Sequence, residues 1–382
     1  MNIVIAIDSF KGSLSSLDAG MAAAEGIQRA IPNAGISVRP IADGGEGTVE
    51  ALCLGLGGIK MCIDVKGPLG EKVKAEYGLV PKSRTAIIEM SAAAGITLLS
   101  ENERNPLNTT TYGVGEMIKH AIREHGCREF ILGIGGSATN DGGIGMLSAL
   151  GFSFLDANGD PIKPYGEGLK DLASINTENA LPELAECTFK VACDVKNPLT
   201  GPRGCSAVFG PQKGADTETV GAMDAWLSHY AELTQQILPH ASSEHPGAGA
   251  AGGMGYALLT YLNATLMGGI ELVIEQTHLE EKIQKADLVI TGEGRLDGQS
   301  CMGKAPVGVA TCAKRYQKPV IAFAGAVTDD ATVVNQHGID AFFPILRAPC
   351  SLEDAMDITN AYRNLRRTAE QALRLWLCAK GN

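Results

Sequence analysis

The sequence predicts an α/β protein in which a mixed-sheet domain is inserted into, or lies beside, a parallel-sheet domain. Short β-branched runs alternate with stretches of helical periodicity, a pattern typical of parallel sheets covered by helices. Residues 60–90 instead alternate with period two around a Gly67-Pro-Leu-Gly70 turn, and Asn158-Gly159 indicates a second hairpin. The length of 382 residues corresponds to two or three average domains.

The first predicted unit is a strand followed by a helix. Residues 3–7 are a continuous apolar run, rich in β-branched residues, that indicates a buried strand. In the helix that follows, Ser15 with Asp18 matches a capping box at the start. Its apolar residues recur every three or four positions, at Leu14, Leu17, Met21, Ala24, Ile27 and Ile31. Further strands are predicted at 36–41, 87–90, 130–132, 189–193, 288–290 and 320–323.

Composition and charge exclude several classes of protein. With 32 Lys and Arg against 43 Asp and Glu, the formal net charge is −11, which does not favour nucleic acid or an anionic membrane as a partner. The apolar start has no basic segment before it and ends at Ile7, so we do not expect a signal peptide. The uncharged stretch 247–270 is rich in glycine and is expected to lead into a buried helix rather than to span a membrane. Ten cysteines without a C-x-x-C pair predict reduced thiols, no zinc site and a cytoplasmic location.

Glycine accounts for 47 of the 382 residues, and four segments combine it with Asp, Glu, Ser or Lys after an apolar strand. Ligands of open α/β sheets bind outside the carboxyl ends of the strands. Glycine there lets backbone N–H groups surround an anion. The four segments together predict a site for phosphate and metal. They span residues 8–13, 43–48, 133–143 and 292–300.

Two known phosphate-binding motifs are matched only in part. Residues 298–305 have the Walker A spacing, but Ala305 replaces the Ser or Thr that would hold magnesium, so we reject a P-loop fold. Residues 133–138 match the dinucleotide fingerprint, yet Asn140-Asp-Gly-Gly143 would break the helix that the fingerprint must open. An NAD(P)-dependent hydroxy-acid dehydrogenase is therefore the weaker alternative.

The charged residues of these loops suit phosphoryl transfer from a nucleotide. Magnesium takes one or two carboxylates together with phosphate oxygens, and Asp43, Glu46 and Glu293 are the predicted metal ligands. Three residues are the catalytic candidates. Lys11 precedes a helix start and is predicted to meet the phosphates, and Asp194 directly follows a strand and is predicted to deprotonate the substrate hydroxyl or hold magnesium, with Asp297 as the next candidate.

The remaining candidates are predicted to bind the two substrates. A guanidinium can clamp a carboxylate with two hydrogen bonds, so Arg295 is assigned to the carboxylate of a small acid, with Asp8 and Ser9 also binding substrate. The predicted phosphate- and nucleotide-binding residues are Gly44, Gly45, Gly135, Gly136, Ser137 and Lys304.

Blocks of sequence over essentially the whole chain resemble the bacterial glycerate kinase family, specifically its class I glycerate 2-kinases. The blocks lie at residues 8–12, 40–47, 133–142, 193–199, 209–214, 247–253 and 292–297. The resemblance implies ATP-dependent phosphorylation of D-glycerate to 2-phosphoglycerate with Mg²⁺. It also implies a Rossmann-like domain and a second, smaller mixed α/β domain that enclose an active cleft.

The predicted domain boundaries make the Rossmann-like domain discontinuous, with residues 1–65 and 286–382 on either side of an inserted domain at 66–285. The partners implied are D-glycerate and ATP, and a homo-oligomer is left open. The residues alone leave open which hydroxyl is phosphorylated, so a glycerate 3-kinase is a further alternative. They also leave open which glycine loop faces ATP.

Overall fold

The computed structural model describes residues 1–301, 303–379 and 381. Its strands are β1 (Asn2–Ile7), β2 (Gly35–Val38), β3 (Ile59–Lys66), β4 (Lys72–Val80), β5 (Thr85–Glu89), β6 (Glu129–Gly133), β7 (Ser153–Leu155), β8 (Ser174–Asn176), β9 (Thr188–Ala192), β10 (Thr265–Met267), β11 (Leu288–Leu296), β12 (Val320–Val327) and β13 (Ala341–Pro344). Its α-helices are α1 (Ser16–Ala30), α2 (Thr48–Leu56), α3 (Ser91–Ala94), α4 (Tyr112–His125), α5 (Ile144–Ala149), α6 (Cys205–Phe209), α7 (Thr217–Ile237), α8 (Ala250–Tyr261), α9 (Gly269–Gln276), α10 (Leu279–Gln284), α11 (Ala305–Arg315), α12 (Leu352–Met356) and α13 (Ile358–Ala379).

The chain divides into two compact units. The mixed-sheet unit takes in the larger part of the chain, whereas the resemblance implied a smaller second domain. The unit boundaries also differ from the predicted ones, because β3 pairs with β4 in the mixed sheet while α9 and α10 pack against α11. The parallel-sheet unit contains Met1–Asp43, Glu50–Leu56 and the chain from Gly268 onward, and the mixed-sheet unit contains Gly44–Val49 and Gly57–Met267.

The parallel-sheet unit is built on five parallel strands in the order β13-β12-β11-β1-β2. On one face, alternate residues of β1 (Ile3, Ile5 and Ile7) are buried against α1 and α13. The two helices pack closely, because a Cβ on Gly26 would lie 2.0 Å from the carbonyl oxygen of Arg366. The predicted parallel sheet is therefore confirmed.

Helix α1 begins where the sequence predicts. Ser15 is its N-cap, with Oγ accepting the Asp18 N–H at 3.1 Å, although the Asp18 carboxylate bonds the Ser15 hydroxyl rather than its backbone. The apolar face is partly different from the prediction, because Met21 is exposed and small residues instead line the buried face. The close approach to α13 explains the small residues on the buried face, since alanine and glycine leave room for the neighbouring backbone.

The mixed-sheet unit contains a six-stranded sheet in the order β10-β9-β6-β5-β4-β3. β3, β4 and β5 pair antiparallel, and the predicted turn between β3 and β4 is closed by the Gly67 N–H donating to the Glu71 carbonyl at 2.6 Å. The other pairs are parallel. The Asn158-Gly159 turn is present, but the residues on either side of it form an isolated β-bridge rather than a hairpin. The strand β7 pairs with β8 instead. Among the described residues, no helix is long and apolar enough to cross a membrane.

Candidate active site

A cavity of about 490 Å³ opens at the carboxyl ends of β1 and β11 in the parallel-sheet unit. These strands are neighbours, but the chain continues from β1 to β2 on one side and from β11 to β12 and β13 on the other. The reversal of strand order between β1 and β11 leaves a crevice, and ligands of open α/β sheets bind at such a crevice. The topology therefore places a ligand site here without reference to any side chain.

The lining of the cavity has three parts. One part is acidic, a second carries cations, and a third is an apolar wall formed by the chain after β13 and by α12. The first two parts contain seven predicted site residues: Asp8, Asp43, Glu293 and Asp297, and Lys11, Arg295 and Lys304. The apolar wall includes Ile345, Leu346, Leu352 and Met356, which the sequence did not assign to a site.

Asp8 follows β1 directly and is buried at the base of the cavity. Its Oδ1 accepts the backbone N–H of Ser9 at 2.7 Å. Burial raises the pKa of Asp8 to about 7, and the negative charge of Asp43 adds to the shift, while the Ser9 N–H and Lys11 oppose it. Asp8 thus lies close enough to Asp43 and Glu293 for the negative charges of the three carboxylates to repel one another.

The end of β11 carries a linked set of polar side chains. Glu293 is buried, and its Oε1 accepts the Ser300 hydroxyl at 2.5 Å. Burial raises the pKa of Glu293, whereas the Ser300 hydroxyl and Lys304 act in the opposite direction. The Lys304 ammonium lies 3.9 Å from Glu293 Oε2 and 3.5 Å from Asp297 Oδ1. Lys304 therefore stands between two carboxylates of the cavity.

Asp297 holds the turn that follows β11. Its Oδ1 accepts the N–H groups of Gln299 at 3.0 Å and Ser300 at 3.2 Å. Its Oδ2 lies 3.5 Å from Nε of Arg295, whose side chain is exposed. These bonds give Asp297 a structural task, namely holding the turn between Arg295 at the end of β11 and Lys304, in addition to the catalytic role predicted for it.

The loop after β1 and the end of β11 approach each other closely. A Cβ on Gly294 would lie 3.2 Å from the Cα of Phe10 and 3.4 Å from the backbone nitrogen of Lys11. Glycine at this position therefore allows the Lys11 loop to lie against β11. The Lys11 side chain is exposed and lines the cavity.

In the mixed-sheet unit, the structure brings together two other predicted loops. A Cβ on Gly133 would lie 2.5 Å from the Gly44 carbonyl oxygen, and one on Gly135 would lie 3.4 Å from the Cα of Gly45. The predicted glycines Gly44, Gly45 and Gly135 are thus neighbours, with Gly136 and Ser137 next along the chain. No helix opens at Ala138, because α5 begins only at Ile144, so the loop does not have the geometry of a dinucleotide fingerprint.

Asp141 organises the loop after β6 from inside. Its fully buried carboxylate accepts the N–H and hydroxyl of Thr111 at 2.8 and 2.7 Å and the N–H groups of Gly143 and Gly145 at 3.0 and 3.2 Å. Burial raises its pKa, and these donors act in the opposite direction. Asp141 is not among the residues predicted for the site, although an acid between asparagine and two glycines is a signal for such a turn.

Two further predicted residues also lie in the mixed-sheet unit. Asp194 is exposed and follows β9, as the sequence predicts. Glu46 is exposed as well and lies near Glu89, which is not among the residues predicted for the site. Glu89 ends β5 and accepts the Val49 N–H at 2.8 Å, and burial raises its pKa. Its signal was an acid at the end of an apolar strand.

The predicted metal ligands do not all belong to one unit. Asp43 and Glu293 line the cavity of the parallel-sheet unit, whereas Glu46 belongs to the mixed-sheet unit. Over the described part of the chain, no group of three or more His, Cys, Asp or Glu side chains is placed to hold a metal ion by itself. All ten cysteines are free thiols.

A cavity at the point where the strand order reverses, with cations and carboxylates beside an apolar wall, suits an α/β phosphotransferase. The chain belongs to the glycerate kinase family, whose model matches residues 3–377. It is therefore a kinase.

Its relatives share nearly its full length. It is 49% identical over 369 residues to the glycerate kinase of Bacillus subtilis (strain 168), with 97% of this chain and 96% of that protein covered. It is 48% identical over 379 residues to the glycerate 2-kinase of Escherichia coli (strain K12), covering 98% and 99%. The crystal structure of a protein described as glycerate kinase 2 from Salmonella typhimurium LT2 has 47% identity and a TM-score of 0.91, with 100% of both chains covered. None of these similarities supports the dehydrogenase alternative.

Proposed function

We propose that this kinase transfers the γ-phosphoryl group of ATP to the 2-hydroxyl of D-glycerate and forms 2-phosphoglycerate and ADP. The observation that carries the proposal is the switch-point cavity, where Lys11, Arg295 and Lys304 stand beside buried carboxylates. Two anionic substrates need such cations, because the chain as a whole has a net charge of −11 and would otherwise repel them. The full-length similarity to a protein named glycerate 2-kinase supports the choice of hydroxyl.

The apolar wall favours the nucleotide as the occupant of this cavity. Glycerate carries a carboxylate and two hydroxyl groups and has almost no apolar surface to bury. A cavity of about 490 Å³ with Leu346, Leu352 and Met356 on one side instead suits the flat, weakly polar face of a nucleobase. The phosphates would then extend from this wall toward Lys11 and Lys304.

The cations are divided between the two substrates. Lys11 carries a compact charge on a flexible side chain and is assigned to the phosphates that change charge during transfer. Arg295 is assigned to the carboxylate of glycerate, which its guanidinium matches with two parallel hydrogen bonds. Arg295 is exposed, and its Nε makes a long contact of 3.5 Å with Asp297 Oδ2, so its guanidinium can turn toward a bound carboxylate.

The carboxylates of the cavity fit a magnesium ion in part. Asp43 and Glu293 offer the one or two protein carboxylates that Mg²⁺ takes when phosphate oxygens complete its shell. The mutual repulsion of Asp8, Asp43 and Glu293 would also decrease beside a cation. When bound, magnesium neutralises charge on the phosphates. Glu46 remains a proposed magnesium ligand only because it lies in the predicted glycine-containing loop at residues 43–48.

The reaction needs little covalent chemistry from the protein. The 2-hydroxyl oxygen of glycerate forms a bond to the γ-phosphorus, the bond from that phosphorus to the β–γ bridging oxygen breaks, and the hydroxyl proton passes to a carboxylate. Asp8 lies at the base of the cavity with Lys11 beside it and is placed to accept that proton or its hydrogen bond. Asp194 remains the alternative acceptor.

A coupled assay tests the reaction. We expect ADP formation that requires D-glycerate, ATP and magnesium together. The product should be consumed by enolase without added phosphoglycerate mutase, since enolase acts on 2-phosphoglycerate. A requirement for the mutase would show phosphorylation of the 3-hydroxyl. Absence of glycerate-dependent ADP formation would contradict the proposed substrate altogether.

The nucleotide assignment has its own test. Leu352 lies on the apolar wall and is 78% exposed, so Leu352→Glu should fold normally. It places a negative charge beside the nucleobase, and we expect the KM for ATP to rise about three- to tenfold with the KM for glycerate unchanged. Ile358→Glu is the matched control, because Ile358 is 61% exposed and is not part of the cavity lining. Equal effects of the two variants would remove the nucleobase from this wall.

A further inference from the structure

Lys213 is a buried cation of the mixed-sheet unit, at the end of a 3₁₀ turn over Pro211–Lys213. Its side chain is only 3% exposed. Its ammonium donates to the Ser137 hydroxyl at 2.8 Å and to the Thr139 carbonyl at 2.6 Å. Both acceptors are neutral, and a buried charge with neutral partners costs free energy. The Lys213 charge is therefore not fully compensated by the groups that it touches.

The titratable groups facing Lys213 are Cys205 and Asp141. Burial lowers the pKa of Lys213 to about 8, and the charges of these two groups act in the opposite direction. Burial raises the pKa of Cys205 to about 11, so this thiol stays neutral near pH 8. Asp141 acts from a distance, since its hydrogen bonds are made to Thr111 and to backbone N–H groups. The ammonium thus loses its proton in a range where the Cys205 thiol stays neutral.

The loop above Lys213 presents unused donors. Gly135 and Gly136 are exposed, and Gly136 has a φ of 72°. Across the described residues, the N–H groups of Gly135, Gly136 and Ser137 find no hydrogen-bond acceptor in the protein. The Ser137 oxygen accepts from Lys213, so its own proton points elsewhere. Consecutive N–H groups around a left-handed residue form a concavity that binds anions.

We propose that Lys213 is a positioning residue, which orients Ser137 so that its hydroxyl and the N–H groups of Gly135–Ser137 bind an oxyanion of a substrate. The occupant is a carboxylate or a phosphate group, and its charge offsets that of the buried ammonium. The inference deepens the proposed function, because glycerate supplies the one anion and the nucleotide the other. It does not depend on which of them reaches this loop.

The test uses Lys213→Met in the full-length enzyme, with Lys213→Arg and Ser137→Ala beside it. Calorimetric titration measures the affinity for sulfate, D-glycerate and ADP separately at pH 7 and pH 9.5. Sulfate is the primary probe because its own charge is constant over this range. A larger loss for glycerate than for ADP identifies the carboxylate as the occupant, and the reverse identifies the phosphate.

We expect Lys213→Met to bind sulfate about 10- to 100-fold more weakly than the native protein at pH 7, since a charge-supported donor is lost. Native affinity should fall several-fold between pH 7 and pH 9.5, as Lys213 loses its proton, while Lys213→Met shows no such fall. Lys213→Arg should remove the pH dependence, because arginine stays charged. Ser137→Ala should weaken binding less than Lys213→Met. The melting temperature of Lys213→Met should change little, because the removal of a buried charge offsets the loss of its hydrogen bonds to Ser137 and Thr139.

Unchanged sulfate affinity and an unchanged pH profile in Lys213→Met would overturn the proposal. So would a large fall in melting temperature with normal sulfate binding by Ser137→Ala, which would show a purely structural role. The result of this binding test can be distinguished from the result of the assay for the proposed function. Sulfate binding that depends on Lys213 would support the inference even if glycerate-dependent ADP formation were absent.

Discussion

Lys11→Met is expected to lower kcat for glycerate phosphorylation about 10²- to 10³-fold, because it removes the cation assigned to the transferring phosphate. Lys11 is exposed, so the substitution should leave the free energy of unfolding nearly unchanged. Steady-state kinetics with both substrates varied measure the effect. The Lys11→Arg variant should recover part of the activity, since it restores the charge with a different shape.

Two comparisons make the Lys11 result specific. Lys285→Met is the matched control, because Lys285 is an exposed lysine of the same unit that does not line the cavity. Arg295→Ala should instead raise the KM for glycerate about 10- to 100-fold with a smaller effect on kcat. The opposite pattern would exchange the roles of the two cations. Native kinetics in both variants would remove both residues from the site.

Asp8→Asn is expected to lower kcat about 10²- to 10⁴-fold, the usual cost of removing a group that accepts a proton in the transition state. The substitution keeps the size and planar shape of the side chain. Its amide oxygen can still accept the Ser9 N–H that Asp8 now binds at 2.7 Å. The fold should therefore persist, and a melting curve checks this. Presteady-state measurement of the first turnover separates phosphoryl transfer from product release.

Asp194→Asn in the same experiment decides between the two candidate acceptors. Asp194 is exposed after β9, so its replacement should not affect folding. If Asp194 accepts the proton, it will show the large loss of kcat and Asp8→Asn will show a small one. If Asp194 holds magnesium instead, its variant should need more magnesium for half-maximal rate. Near-native rates in Asp8→Asn would contradict the role assigned to Asp8.

Local sequence patterns were sufficient for the elements that position the site. The β-branched run of β1 and the Ser15 cap of α1 place the Lys11 loop between a strand end and a helix start. These patterns report on neighbouring residues, because alternation, helical periodicity and capping depend on contacts within a few positions. The same reasoning located the four glycine loops, two of which the structure brings together in the mixed-sheet unit.

Boundaries and buried partners could not be predicted in this way. The division into units depends on β3 pairing with β4 and on α9 and α10 packing beside α11. The small residues on the buried face of α1 follow from how closely α13 approaches that helix. Each of these features depends on residues far apart in sequence, so no local window contains the information.

The sequence by itself determined the α/β class, the strand–loop–helix units and the charged residues that line the cavity. Only the tertiary structure decided which of them meet. It placed Asp8 and Lys11 beside Glu293 by making β1 and β11 neighbours, and it buried Lys213 beneath Ser137, 76 positions away in the chain. The physical reason is that strand order and burial set local charge and desolvation, and both arise only when distant segments pack together.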